Sequence, residues 1–187
     1  MSDQIRSFIK EMAGVIIVAF ILAMILRAFV IEGRVIPTGS MLPTIREQDR
    51  VMVNKFIYYF KEIQRGDVVV FDPPEALKSE IDYIKRVIGL PGETVEIKEG
   101  KVFIDGRALE EPYLNEGLSY EYGPVVVPED SLFVLGDNRN SSYDSHRWNA
   151  WLTQDRVKGK AFLIYWPINH ITLLERGVSF IEDTSKQ

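Results

Sequence analysis

Hydrophobic and polar positions follow two different rhythms along this chain. From Met12 to Leu26 (MAGVIIVAFILAMIL) the sequence is an unbroken run of 15 uncharged, mostly apolar residues, interrupted at Arg27 and resumed by AFVI before Glu32. Counted through Ile31 the run holds 20 residues, about what a helix needs to cross ~30 Å of hydrocarbon. Arg27 sits near enough to its end to extend to the interface. A helix apolar on every face is foreign to the surface of a soluble domain. The run is also long for the apolar core of a leader sequence, and no clear small-x-small site precedes Glu32. The pattern predicts an uncleaved anchor over 12–31, preceded by a short segment, 1–11. Arg6 and Lys10 precede it, but so do Asp3 and Glu11, and Arg34 follows it. Flanking charge therefore gives only a lean toward a cytoplasmic N-terminus.

After residue 35 the rhythm shortens to that of strands and turns. VMVNKFIYYF (51–60) is rich in β-branched and aromatic residues, and Arg-Gly-Asp leads into VVVF (68–71). DYIKRVIG (82–89) is followed by a Pro-Gly turn. TVEIK (94–98) and VFI (102–104), separated by EGK and closed by Asp-Gly, predict a hairpin. VVV (125–127), SLFVLG (131–136) and KAFLIYW (160–166) complete about eight short strands. The expected fold is mostly β: an antiparallel, partly open barrel-like sheet with a small β flap at about 95–130, preceded by one transmembrane helix. The closing EDTSKQ reads as a frayed tail.

Composition narrows the chemistry. The chain has 187 residues, 22 Lys+Arg against 27 Asp+Glu, and a net charge of −5. One domain plus an anchor fits that length, and no basic stripe is present to hold nucleic acid. Without Cys there is no disulfide, thiol nucleophile or Cys-bound zinc. His146 and His170 are the only histidines, so a multi-His metal site is excluded and a catalytic triad would need one of the two.

Three stretches carry candidate chemistry. In PTGSMLP (37–43), Gly39 offers backbone freedom while Pro37 and Pro43 stiffen the approaches. Such a turn can expose the Ser40 hydroxyl and aim backbone N–H groups at one point, although a plain turn has the same composition. A nucleophilic serine needs a base. Lys85 lies inside the apolar strand IDYIKRVIG and shares a face with Tyr83 and Val87, while Arg86 points the other way. Facing a core it would lose hydration and basicity, which suits a proton acceptor; on a wet face it would be ordinary. The third stretch, GDNRNSSYDSHRW (136–148), offers Ser141, Ser142, Asp144 and His146. A calcium loop is discounted because Arg139 falls where an oxygen ligand is required.

IPTGSMLPTI (36–45), RGDVVVF (65–71), YIKRVIGLPGE (83–93) and GDNRNSSYDSHRW (136–148) occur in one order after one anchor. Together they resemble the successive motif boxes of type I signal peptidases, the membrane-anchored Ser-Lys proteases that cut signal peptides from exported proteins. The resemblance runs from the anchor to about Pro167. It implies Ser40 as nucleophile, Lys85 as general base, and an oxyanion hole made by the Ser40 N–H and the Thr38 hydroxyl. It further implies Ser142 as the residue orienting the lysine amine, Asp144 as a supporting acid, and Arg86 with Asp137 as a structural ion pair. The family often has Ser where this chain has Thr38. It also has DSR where this chain has Asp144-Ser145-His146, with Arg147 one place later, and a frequent Gly where Asn149 stands. The partner of Asp144 is therefore left open between His146, Arg147 and neither.

The implied activity is acyl transfer at Ala-x-Ala-like sites, with no cofactor and no metal. Its partners would be signal-peptide-bearing preproteins and membrane lipid. The implied setting is a bacterial plasma membrane, N-terminus inside, with residues 32–187 as the catalytic domain outside. Ser40 follows Ile31 by nine residues, a reach of at most about 30 Å, so the site works near the bilayer. Ile36 and Met41 are expected as apolar walls of the substrate pocket. The run FIYYF (56–60) and Trp148 or Trp151 are read first as core, with the membrane interface as the alternative. Three rival readings remain: a self-cleaving Ser-Lys repressor, disfavoured because no helix-turn-helix is visible; a His146-dependent serine hydrolase; and a non-catalytic tethered β domain that binds exported chains.

Overall fold

The structure, a computed structural model, describes residues 3–25 and 30–181. Arg27 and the EDTSKQ tail lie outside the described residues. The first element is helix α1 (Asp3–Ile25), within which Gln4–Met24 is long and apolar enough to cross a membrane. Its side chains are exposed from 4 to 24, including Phe8, Val15, Ile16 and Phe20, so its apolar surface is not spent on the protein's own core.

The strands that follow are β1 (Ile31–Val35), β2 (Arg50–Asn54), β3 (Val68–Phe71), β4 (Tyr83–Gly89), β5 (Thr94–Lys98), β6 (Lys101–Ile104), β7 (Arg107–Glu110), β8 (Tyr122–Val126) and β9 (Ser131–Leu135). A four-residue helix, α2 (Ser145–Trp148), precedes β10 (Leu152–Thr153), β11 (Val157–Trp166), β12 (Thr172–Leu173) and β13 (Ser179–Phe180). The main sheet runs β1-β2-β11-β3-β4-β9-β10, with β12 added on β11. A second sheet runs β13-β7-β6-β5-β8. Among the described residues the strands pair antiparallel throughout, as the short-strand pattern implied.

Period-two alternation places the cores. In β3, Val68 and Val70 enter one cluster with Ile36, Met41, Ile45 and Ile84, while Val69 and Phe71 enter another with Val87, Leu132, Val134 and Trp148. Strand β9 is buried throughout. Its Leu132 and Val134 face that second cluster, and its Phe133 and Leu135 face a third, made with Val95, Ile97, Val102 and Ile104 of the second sheet. At about 25 cal/mol per Å² of apolar surface, these three layers are the main stabilising term. They make β3, β4 and β9 a rigid base for the loops at their ends.

Several sequence expectations need correction. Ile31, which hydropathy alone assigns to the anchor, is the first residue of β1 and pairs with Asn54; a strand that continues an apolar run carries no hydropathic boundary. The run at 51–60 is not one strand. Asn54 Oδ1 accepts the N–H groups of Phe56 (2.9 Å) and Ile57 (3.0 Å), turning the chain into a 3₁₀ helix at Ile57–Tyr59. Phe56, Tyr59 and Phe60 are consequently exposed rather than core, whereas Trp148 is core, at 3% exposure.

Candidate functional site

The 37–43 turn and strand β4 meet in a cleft of about 520 Å³, lined by residues that include Pro37, Thr38, Ser40, Leu42, Ile81, Tyr83, Ile84, Lys85, Asn138 and Tyr143. The turn contains a 3₁₀ helix, Gly39–Met41, closed by Leu42 N–H donating to Gly39 O at 3.1 Å. Its buried Met41 plugs the first core cluster, which leaves Ser40 half-exposed on the cleft side. Gly39 does not adopt a positive φ, so the backbone freedom expected of it is not what the turn uses. Instead, a Cβ there would press on Leu42 Cδ1 at 3.0 Å and Glu47 Oε1 at 3.2 Å.

Lys85 is brought to Ser40 by β4, paired to Val69 of β3 on one side. Its Nζ lies 2.6 Å from Ser40 Oγ, and the residue is 4% exposed. Burial pulls its pKa from 10.5 down to about 8, against the opposing pull of the Asp144 and Asp137 carboxylates. Thr38 Oγ1 donates to Ser40 Oγ over a longer 3.4 Å, so a second hydroxyl stands at the same point. A larger hollow, of about 840 Å³, lies at the second sheet around Leu109, Glu111 and Phe180, but it contains no such pairing of hydroxyl and buried amine.

The loop leaving β9 closes the site from the other side. Arg86 and Asp137 form a two-pronged buried pair, Nε to Oδ1 at 2.8 Å and Nη2 to Oδ2 at 2.7 Å. The remaining Arg86 nitrogen donates to the carbonyls of Gly66, Glu175 and Arg176, each at 2.9 Å. All three nitrogens of that guanidinium are thus engaged, as burial of a charge requires. Asp144 is fully buried; its Oδ2 accepts the Gly136 N–H at 2.9 Å and its Oδ1 contacts His146 Nδ1. Arg147 Nε donates to His146 Nε2 at 3.1 Å, a pattern satisfied by an imidazole carrying its hydrogen on Nδ1. The open choice for Asp144 is thereby resolved in favour of His146, with Arg147 behind it.

Two site expectations do not hold in this geometry. Ser142 Oγ is buried without a hydrogen-bond partner among the described residues, so no bond joins it to the lysine amine, which is committed to Ser40. Ile36 and Met41 are 3% and 0% exposed in the first core cluster and do not line the cleft. Leu42, Ile81, Ile84 and Tyr143 form its apolar walls instead.

Sequence reasoning also passed over residues that shape the site. Gly136 is one: a Cβ would fall 2.3 Å from Ser142 Oγ and 2.4 Å from Ser40 O, so only hydrogen fits between the two serine segments. Arg139, used only to exclude calcium, grips Glu111 through two bonds, of 2.8 and 2.6 Å, and ties the loop to the second sheet. Asn138 reaches the Ser40 turn. Only their position in a dense polar loop hinted at any of this, because Glu111 lies 28 residues from Arg139 and Gly39 lies 99 from Asn138 in sequence.

Comparison with known proteins agrees with the motif order. The profile of the family described as signal peptidase, peptidase S26, matches residues 9–166. This chain belongs to that family. Among its relatives, a probable signal peptidase I-2 of Synechocystis sp. is 44% identical over 167 residues, which are 88% of this chain and 76% of that protein. The signal peptidase I of Leptolyngbya laminosa is 48% identical over 156 residues, 81% of this chain and 76% of its own length. That of Bacillus licheniformis is 38% identical over 176 residues, covering 89% and 93%. A solved signal peptidase I from Enterococcus faecalis, 36% identical, aligns with TM-score 0.46 over 54% of this chain and 97% of its own.

Proposed function

We propose that this chain is a membrane-anchored serine endopeptidase that removes signal peptides from exported preproteins by Ser-Lys acyl transfer. One observation carries the catalytic assignment. A buried amine, with its pKa held near 8, stands 2.6 Å from a half-exposed serine hydroxyl in an open cleft. With a pKa of about 8, roughly a tenth of the lysine is neutral at pH 7, a workable fraction for a base.

In the reaction, neutral Lys85 takes the Ser40 proton as Oγ attacks the scissile carbonyl carbon. The Ser40 N–H and the Thr38 hydroxyl receive the oxyanion, where one donor is worth about 10²–10³ in rate. Protonated Lys85 then gives its proton to the leaving amine. It next deprotonates the water that attacks the acyl carbon and frees the signal peptide. The apolar walls Leu42, Ile81 and Ile84 favour small side chains before the cut, in keeping with Ala-x-Ala-like sites.

The reading places α1 across the plasma membrane, N-terminus inside, and the β domain outside, where emerging preproteins and lipid meet it. The His146-dependent rival is disfavoured by occupancy: both ring nitrogens are engaged, by Asp144 and Arg147, and His146 is not among the residues lining the cleft. The test is cleavage of a purified preprotein in detergent by wild type, Ser40→Ala and Lys85→Ala, with N-terminal sequencing of the product. Wild type should cut after a small-x-small site and both variants should be inactive though folded. Full activity in Lys85→Ala would sink the Ser-Lys mechanism, and no cutting by wild type would favour the non-catalytic binding domain.

A further inference from the structure

The Ser40 N–H belongs to the peptide unit whose carbonyl is that of Gly39. The cis peptides among the described residues all precede proline, so the Gly39–Ser40 unit is trans and its N–H points opposite to its C=O. Whatever holds the Gly39 carbonyl therefore aims the Ser40 N–H. A peptide following glycine is intrinsically easy to rotate, and an oxyanion donor that rotates away is worth nothing. The unit needs a clamp.

Two donors meet at Gly39 O. One is internal to the turn, from Leu42 N–H at 3.1 Å. The other comes from outside it, from Asn138 Nδ2 at 3.0 Å, across 99 residues of sequence. The Asn138 main-chain N–H also donates to the next carbonyl, Ser40 O, at 3.1 Å, so a single residue holds the peptides on both sides of the serine. Asn138 is itself fixed from behind. Asp137, before it, is locked to Arg86, and Arg139, after it, to Glu111. The clamp is anchored to β4 on one side and to the second sheet on the other.

We infer that Asn138 is a positioning residue of the oxyanion site: its side-chain amide fixes the plane of the Gly39–Ser40 peptide and aims the Ser40 N–H at the developing oxyanion. The bond also loads the carbonyl end of the resonance unit, which strengthens the N–H as a donor. Asn138 need not touch the substrate for this. The inference rests on the peptidase reading above and assigns the residue that makes its backbone donor effective.

The effect should appear in the transition state and not in substrate binding. The test uses the full chain in detergent with a peptide spanning a small-x-small site. It compares wild type, Asn138→Ala and Asn138→Asp, the last keeping the shape while losing the donor. Because the Leu42 bond survives, the expected loss lies below that of deleting a donor outright: kcat falls about 10- to 100-fold. KM stays within about twofold, and in the uncharged Asn138→Ala the pH midpoint of kcat/KM, which reports Lys85, does not move, whereas the new carboxylate of Asn138→Asp raises it. The inhibition constant of a peptide boronate, which forms a tetrahedral adduct on the serine, should weaken by the same factor as kcat. Should Asn138→Ala fail to fold, the near-isosteric Asn138→Asp carries the comparison. Wild-type kcat in the variants overturns the assignment, as does a loss expressed in KM with unchanged boronate affinity, or a shifted pH midpoint in Asn138→Ala. Ser40→Ala run alongside separates the two readings: if it loses cleavage while the Asn138 variants keep wild-type kcat, only the role of Asn138 falls. If wild type does not cleave, both fall together.

Discussion

Replacing Lys85 by Met should make the protein more stable while ending its activity, and the size of the gain follows from the burial of one amine. Lys85 is 4% exposed, and its pKa drops from 10.5 to about 8. At about 1.4 kcal/mol per tenfold change, holding the ammonium in the folded state costs about 3 kcal/mol at any pH below 8. Met keeps the length and the apolar stem but gives up the 2.6 Å bond to Ser40, worth about 1 kcal/mol. The net gain is about 2 kcal/mol near pH 6. The sign of its pH dependence follows from the depressed value. Between about 8 and 10.5 the folded lysine is neutral while the unfolded one is still protonated, so wild-type stability rises with pH and the gap to Lys85→Met closes. Urea unfolding of the two full-length proteins in the same detergent, followed by the fluorescence of buried Trp148, measures this. In parallel, wild-type kcat/KM should climb with pH through about 8, since neutral Lys85 is the active form. A Met variant no more stable than wild type at pH 6, with a gap that does not narrow toward pH 10, would refute the account of Lys85 as a buried, penalised base.

Three further outcomes follow from the surroundings. Gly136→Ala places a methyl 2.3 Å from Ser142 Oγ and 2.4 Å from Ser40 O; it should cost about 1–3 kcal/mol of stability and lower kcat, both readable in one thermal and kinetic comparison. Asp137→Ala leaves the Arg86 guanidinium buried without its carboxylate, and the urea midpoint should fall by an amount equivalent to about 3–5 kcal/mol. His146→Ala removes the contact at Asp144 Oδ1, so more of that negative charge bears on Lys85. The enzyme should keep turning over, with the acid limb of its pH profile displaced to higher pH; complete loss of activity would instead favour His146 as the base.

How much of this was legible before any coordinates depends on whether each feature is local. VVVF and TVEIK emerge as β3 and β5 with unchanged limits, because both buried and alternating strands write themselves into a few adjacent residues. β1 was lost in the apolar run before it, and β7, β10, β12 and β13 are too short or too polar for any pattern. The end of β2 turned on one Asn side chain capping two amides, a competition that strand propensity does not weigh. For the site, the face of Lys85 could be read from alternation alone, since Tyr83 and Val87 do lie in its layer. What could not be read was long-range pairing. That Asn138 reaches Gly39, that Arg139 finds Glu111, and that Met41 serves the core while Leu42 lines the cleft are facts of how separate strands were laid side by side. The substitution of His146 into the motif looked like a disturbance at Asp144, and it is in fact that carboxylate's partner.

These pairings also account for how a lysine can lie among carboxylates and still keep the lowered pKa that the proposed base requires. Asp137 and Asp144 both pull the Lys85 pKa upward, and either one, bonded directly to the amine, would hold it protonated. Neither does. The two oxygens of Asp137 are taken by Arg86, and those of Asp144 by the Gly136 amide and His146. Each carboxylate thus spends its hydrogen-bonding capacity elsewhere and acts on the lysine only through space. Among the described residues, the one hydrogen bond made by the Lys85 amine is to Ser40. Desolvation then outweighs attraction, and the amine keeps a pKa of about 8 while facing the Ser40 hydroxyl. The buried ion pairs around the site therefore do more than fasten loops, because by sequestering negative charge they set the basicity of the group between them.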